Sequence, residues 1–301
     1  MFTIRKLTII LLVLNLLFFM PTAFAFDDDD DSGLDTKQQI YHVYADIDLI
    51  PTTQFQYAKS KIVAKSIFPQ LSSDTENENV EQFNSLVKEV ILNEFDYFKQ
   101  QVVNIQFYQS TLPKTKIKND LYIDFDTSII NTKNNPILSI RFTSQGFVMG
   151  LAHPYHRHSV INYDLGNGEI IELSRLFKIE TDYLGFISDY TSKALVKRLK
   201  NTEMIAKGTA PVLENFKNWN INPDGLLITF EEAQVAPYVY GTQTVLIPYA
   251  VIKNMLAADS PIASCFKHRK KCLKNNLFTG GFMDEAINSR HRALNPTLGQ
   301  R

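Results

Sequence analysis

Two hydrophobic rhythms alternate along this chain, and their order constrains the fold more than any other feature. Between residues 40 and 51, Tyr41, Val43, Ala45, Ile47 and Leu49 alternate with more polar positions, the period-two mark of a half-buried strand. From 80 to 102, Val80, Phe83, Val87, Val90, Ile91, Phe95 and Phe98 recur at steps of three and four. That spacing predicts a helix of about six turns with its Glu and Lys residues on the solvent side. Further β-prone runs cover 61–68, 121–125, 137–148, 159–163, 170–173, 226–230 and 244–247, and 72–79 reads as a loop. Asp164-Leu165-Gly166-Asn167-Gly168 is a hairpin turn, its glycines supplying positive φ. Ser174 is placed to cap a short helix through Phe177, and helices are expected over 183–199 and 251–256. Strands joined by hairpins, without a repeated βαβ rhythm, give an α+β fold: mixed or antiparallel sheets with helices packed on them, built from hairpins and two longer helices.

The amino terminus carries a different signal. Arg5 and Lys6 precede an apolar run over 7–20, followed by Ala23-Phe24-Ala25, the charged, apolar, small-x-small order of a secretory signal peptide cut between Ala25 and Phe26. The run is shorter than the roughly 20 residues of a membrane span, no later stretch is apolar for long enough, and no cysteine follows the cut. The mature chain is therefore expected to be exported, periplasmic or secreted, with no membrane span. Residues 26–39, with Asp27 to Asp31 in a row, are a solvated acidic leader. Adjacent carboxylates do not wrap a cation as a calcium loop does.

Beyond residue 25, 29 Lys plus Arg face 32 Asp plus Glu, a net charge of −3. Residues 259–301 hold eight basic and three acidic residues, so this tail is net +5 and the body before it near −8. No basic nucleic-acid-binding stripe emerges. The 45% apolar content supports a sizeable core. The two cysteines, Cys265 and Cys272, both lie in the tail. In an oxidising compartment they are expected to close a short loop worth about 2.5 kcal/mol, with free thiols or an intermolecular bridge as alternatives.

Three histidines in six residues, His153, His156 and His158, form the sharpest chemical cluster. Imidazoles ligate zinc and copper. In an extended segment, however, His156 and His158 share a face opposite His153, and no His-Glu-x-x-His accompanies them. The expectation is a hydrogen-bonded structural His153, exposed His156 and His158, and no metal or other cofactor, with a site of all three as the alternative. Glu231 and Glu232, adjacent on a strand, are expected at a solvated edge. Neither a Gly-x-Ser-x-Gly elbow nor a body cysteine supports nucleophilic catalysis.

The order of several motifs resembles one family. They are Phe68-Pro69-Gln70-Leu71, the helix from Val80, Gly150-Leu151-Ala152-His153, Asn162-Tyr163-Asp164 through Gly168 to Leu176-Phe177, Asn222-Pro223-Asp224-Gly225-Leu226, Val235-Ala236-Pro237-Tyr238 with Gly241, and Ile247-Pro248-Tyr249. Together they are similar to the extracytoplasmic domain of unknown function shared by RsiV-type lysozyme-sensing anti-sigma factors, PdaC-type peptidoglycan deacetylases and secreted mycobacterial antigens. The positions carrying the resemblance are Gly150, His153, Asp164, Gly168, Phe177, Gly225, Pro237, Tyr238 and Gly241. Ala233 departs from it, standing where the family often has an aromatic residue.

The resemblance covers about 40–256, in an N-terminal α+β half (40–130) and a C-terminal half (131–258), before a peripheral tail (259–301). With six residues ahead of the apolar run and a short tail behind residue 256, the expectation is the family's sensor or accessory domain standing alone. The resemblance implies a cell-envelope binding module whose partner is cell-wall glycan or a basic wall-directed protein such as lysozyme. The alternatives are a peptidoglycan-modifying envelope enzyme and a structural envelope protein.

Overall fold

The computed structural model describes residues 40–58, 62–108, 119–132, 135–199, 202–222 and 224–263, and a short strand at Phe278–Thr279. The cleavage site at Ala25 and Phe26, the acidic leader and the Cys265–Cys272 pair lie outside the described residues.

The architecture is α+β. Seven strands follow chain order across one large sheet: β1 (Tyr41–Tyr44), β2 (Ile47–Ala58), β3 (Ile62–Ser73), β4 (Asn119–Asn131), β5 (Pro136–Phe147), β6 (Tyr155–Asp164) and β7 (Glu169–Ile170). All neighbours are antiparallel except β3 and β4, whose parallel pairing is allowed by the crossover through helix α1 (Glu78–Tyr108). A second sheet of three antiparallel strands has the order β10-β9-β8, from β8 (Trp219–Asn222), β9 (Gly225–Phe230) and β10 (Gln243–Pro248). Helices α2 (Tyr183–Leu199), α3 (Thr202–Gly208) and α4 (Tyr249–Ile252) complete this half. Strand β11 (Phe278–Thr279) pairs with β4 at Ser128 and Thr127.

Two buried clusters hold these layers. In the first, Phe83, Val87, Ile91 and Phe98 of α1 belong with Leu49, Ala64, Leu121, Ile123, Phe142 and Tyr163 of the large sheet. This is the helix stripe legible in the sequence, laid over the inward positions of the strands. In the second, Leu176, Phe177, Ile187 and Leu195 gather with Trp219, Ile228, Phe230 and Ile247, joined by Ile130 and Ile137. The 130/131 boundary thus falls at the end of β4, inside a sheet that continues to residue 170, and the second core already begins there.

Polar groups join the sheets. Ser139 Oγ on β5 donates to Asn162 Oδ1 on β6 (2.6 Å) and accepts from Asn220 Nδ2 (3.0 Å) and the Ile221 N–H (2.8 Å) on β8, while Asn162 Nδ2 donates to the Trp219 carbonyl (2.9 Å). Every group in the set is buried, and each bond satisfies atoms that would otherwise be desolvated without return. Arg141, 2% exposed, pairs with Asp126 Oδ2 at 2.9 Å and donates to Thr229 Oγ1 of β9 at 3.3 Å.

Several expectations are corrected. The first strand divides at Ala45 (φ 50°) into the β1–β2 hairpin, and β2 and β3 run through Pro51 and Pro69, which face each other. Ser73 therefore ends a strand where a loop was expected. Ser174 lies within the 3-10 turn Leu173–Leu176, whose N-cap, Glu172, makes no side-chain cap. Gly168 adopts positive φ (69°) but Gly166 does not; the turn is closed instead by Asp164, whose carboxylate accepts from the Gly166 N–H (3.0 Å) and the Asn167 N–H and side chain (3.1 and 2.8 Å). The tail is not wholly peripheral, because Ile262 is buried in the second cluster and β11 extends the large sheet.

Candidate functional site

The chemistry-bearing residues collect where β6 starts and where β9 gives way to β10. Gly150 (φ 97°) turns the chain after Val148, and Tyr155 opens β6 four residues earlier than the sequence suggested. Alternation then sends consecutive side chains to opposite faces. On one face, Tyr155, Arg157 and Ser159 converge on Glu94 of α1: the Tyr155 hydroxyl lies 3.5 Å and Ser159 Oγ 3.3 Å from its carboxylate, and an Arg157 nitrogen lies 3.6 Å away. The Arg157 guanidinium also sits 3.9 Å over the Tyr97 ring. Glu94 is buried, although it belongs to the helix surface expected to face solvent.

The opposite face carries His156 and His158, their rings 4.8 Å apart, beside Glu231 and Glu232. His158 is buried (5% exposed), with Nδ1 3.3 Å from Thr143 Oγ1 and Nε2 3.0 Å from Thr242 Oγ1. Burial, with Arg141 and His156 close by, holds its imidazole well below the usual histidine range. Glu231 Oε1 accepts the His158 backbone N–H (3.0 Å) and Asn218 Nδ2 (2.8 Å), and burial pushes its carboxyl up. Glu232 lies 3.8 Å from His156 Nδ1. Histidine 158 therefore ties both ends of the 231–242 segment to β6, through Glu231 and through Thr242.

That segment carries the exposed part of the site. Pro237 leads into the 3-10 turn Tyr238–Tyr240, and Gly241 (φ 63°) closes it. The Tyr238 ring stacks on His153 with centroids 4.4 Å apart, and its hydroxyl donates to the Pro154 carbonyl at 2.7 Å. Burial and the neighbouring Glu232 push this phenol up to about 12. Beyond the anchored tyrosine, Val239 (87% exposed) and Tyr240 (55%) project into solvent, and Leu151, two residues before His153, is also exposed.

The expected exposures are thus reversed. His158 is buried and His156 half-buried, whereas His153 is exposed and held by ring stacking; Glu231 and Glu232 belong to a half-buried polar cluster rather than a solvated edge. His153 lies outside the group formed by His156, His158 and Glu231. The other resemblance positions build the fold: Phe177 stacks on Tyr183 at 4.8 Å, and a Cβ on Gly225 would stand 2.1 Å from the Ile247 carbonyl oxygen.

Residues 174–250 match DUF3298, a family described as protein of unknown function. The DUF3298 segment contains Phe177, Gly225, Glu231 and the whole 237–241 turn, while His153, His156, His158 and Asp164 precede it. Among curated proteins, the chain is 25% identical over 179 residues to the peptidoglycan-N-acetylmuramic acid deacetylase PdaC of Bacillus subtilis, covering 58% of this chain and 36% of that one. It is 27% identical over 176 residues to the anti-sigma-V factor RsiV of the same species, covering 56% and 59%. It is 25% identical over 108 residues to the immunogenic protein MPT64 of Mycobacterium tuberculosis, covering 36% and 47%. The chain thus spans between about a third and three-fifths of these relatives' lengths. A DUF3298 crystal structure from Bacteroides fragilis is 17% identical with a TM-score of 0.49, covering 78% of this chain and 98% of that one. The resemblance read from the motifs points to the same relatives. Among the described residues, no helix is long and apolar enough to cross a membrane.

Proposed function

We propose that this chain is an exported, non-catalytic binding domain of the cell envelope. Its recognition surface is the 237–241 turn with the exposed 151–153 segment, and its partner is cell-wall glycan or a basic wall-directed protein such as lysozyme. The observation that carries the reading is Val239 and Tyr240, exposed on a turn that the Tyr238–His153 stack and the Tyr238–Pro154 hydrogen bond hold in place. Apolar side chains held out from an ordered turn lose little entropy when covered, which suits them as binding anchors. One relative is named for peptidoglycan, and the motif resemblance to lysozyme-sensing proteins supplies the second partner class. The acidic body would speed encounter with a basic protein and make the rate salt-sensitive.

The alternative, a wall-modifying enzyme, would draw on His156, His158 and Glu231. The binding reading is preferred because His158 is buried with a threonine hydroxyl beside each ring nitrogen. The test is titration of the mature protein into lysozyme and, separately, into soluble peptidoglycan fragments, at low and moderate salt. Saturable binding to one of them is the expected result. Turnover of a wall substrate without stable binding would support the enzyme.

A further inference from the structure

Beneath the proposed recognition turn lies a polar group that partner binding does not need. The ligand-bearing atoms of His156, His158 and Glu231 all lie within 4.8 Å of one another. Two features make this more than a chance meeting. The i,i+2 spacing on β6 fixes both imidazoles on one face, and the bond from the His158 N–H to Glu231 Oε1 fixes the end of β9 against them. That bond and the one from Asn218 engage Oε1, whereas Glu231 Oε2 is buried without a hydrogen-bond partner. A buried carboxylate oxygen in that state calls for a proton or a cation.

We propose that His156, His158 and Glu231 bind one divalent transition-metal ion of the zinc class, which clamps the 231–242 segment to β6. Two imidazoles select such an ion over calcium or magnesium. Bound to a zinc ion at about 2.0–2.2 Å, neighbouring ligand atoms would stand about 3.3 Å apart. The group must therefore draw in by roughly 1.5 Å, within reach of a rotation of the half-buried His156 ring. With a threonine hydroxyl at each ring nitrogen of His158, one nitrogen can ligate while the other stays oriented. The charges also suit a dication. The cations that reach the group each have a carboxylate of their own, Arg141 with Asp126 at 2.9 Å, Arg157 with Glu94 and Lys217 with Glu214, and Glu232 adds a second carboxylate next to His156. His153, stacked on Tyr238, takes no part, so the ligand set differs from the three histidines that the sequence offers.

The test uses the full mature chain, stripped with a chelator and titrated with Zn2+ by calorimetry and with Co2+ by visible absorption. The expected result is one equivalent of saturable uptake, Co2+ bands of a low-coordinate nitrogen–oxygen site, and a higher melting temperature with metal. His156→Ala and Glu231→Gln should each weaken uptake more than the roughly 10- to 100-fold typical of losing an outer-shell group. His42→Ala, which removes a surface histidine paired with Asp48, should leave uptake unchanged. Because His156 is half-buried at the start of β6, its variant decides the question even where Glu231→Gln unfolds. Failure of the folded wild-type chain to take up an equivalent of either metal, uptake that survives His156→Ala, or loss of uptake in His42→Ala would overturn the proposal.

Discussion

Replacing Asp126 with alanine tests how the two sheets are joined. The Arg141 guanidinium is 2% exposed, receives its charge compensation from Asp126 at 2.9 Å, and reaches β9 through Thr229 at 3.3 Å. Removing the carboxylate takes this ion-pair partner away from a buried cation, a change worth about 3–5 kcal/mol. A domain of this size shifts its midpoint by about 2–4 °C per kcal/mol, so the melting temperature should fall by roughly 6–20 °C. Urea unfolding followed by circular dichroism and by Trp219 fluorescence gives the free energy directly. The pair Asp126→Leu with Arg141→Met should recover most of the loss, since two apolar residues of similar volume need no compensation. A single-variant loss below about 1 kcal/mol, the range of exposed pairs, would refute the claim that this ion pair is a buried connection.

Three further outcomes follow from the structure. His158 is depressed in the folded state, so the unfolded chain binds its proton first as pH falls. Stability should hold above about pH 6.5 and decline below it by up to about 1.4 kcal/mol per pH unit, while the raised Glu231 works in the opposite direction nearer its own range; a decline of the same size in His158→Asn, followed by urea melts across pH, would show that another group is responsible. Gly225→Ala places a Cβ 2.1 Å from the Ile247 carbonyl oxygen and should cost about 1–3 kcal/mol by forcing β9 and β10 apart, whereas an unchanged melting curve would mean the strands yield freely. Mass spectrometry of the exported protein should find Phe26 at the amino terminus, and a retained Met1 would defeat the processing step.

Much of the fold was legible because burial imposes its period on sequence. The α1 stripe from Val80 to Phe98 and the alternation in β4 and β5 each mark one face turned to a core. Segments whose buried side chains are polar escaped that logic. Strand β8 reads Trp219-Asn220-Ile221-Asn222, and its asparagines look like loop residues until Asn220 is seen against Ser139. The start of β6 failed for the same reason: Tyr155, His156, Arg157 and His158 have no apolar alternation, yet both faces are covered, one by Glu94 and the other by the Glu231 segment. Glu94 itself carries no local signal, because its partners are more than 60 positions away. The histidine cluster was visible as composition, but which histidine is buried depends on the start of β6, and Glu231 joins it only through tertiary packing.

The binding role proposed for the 237–241 turn rests on its exposed apolar side chains. It is tested most directly by titrating wild-type protein and Val239→Asp into lysozyme and into soluble peptidoglycan fragments, with melting temperatures measured in parallel. Because Val239 is 87% exposed, the substitution should leave stability within about 0.5 kcal/mol. It should weaken binding at least about tenfold, as desolvating a carboxylate at an interface core would. Equal affinity of the two proteins, or no binding of wild-type protein to either partner, would contradict it.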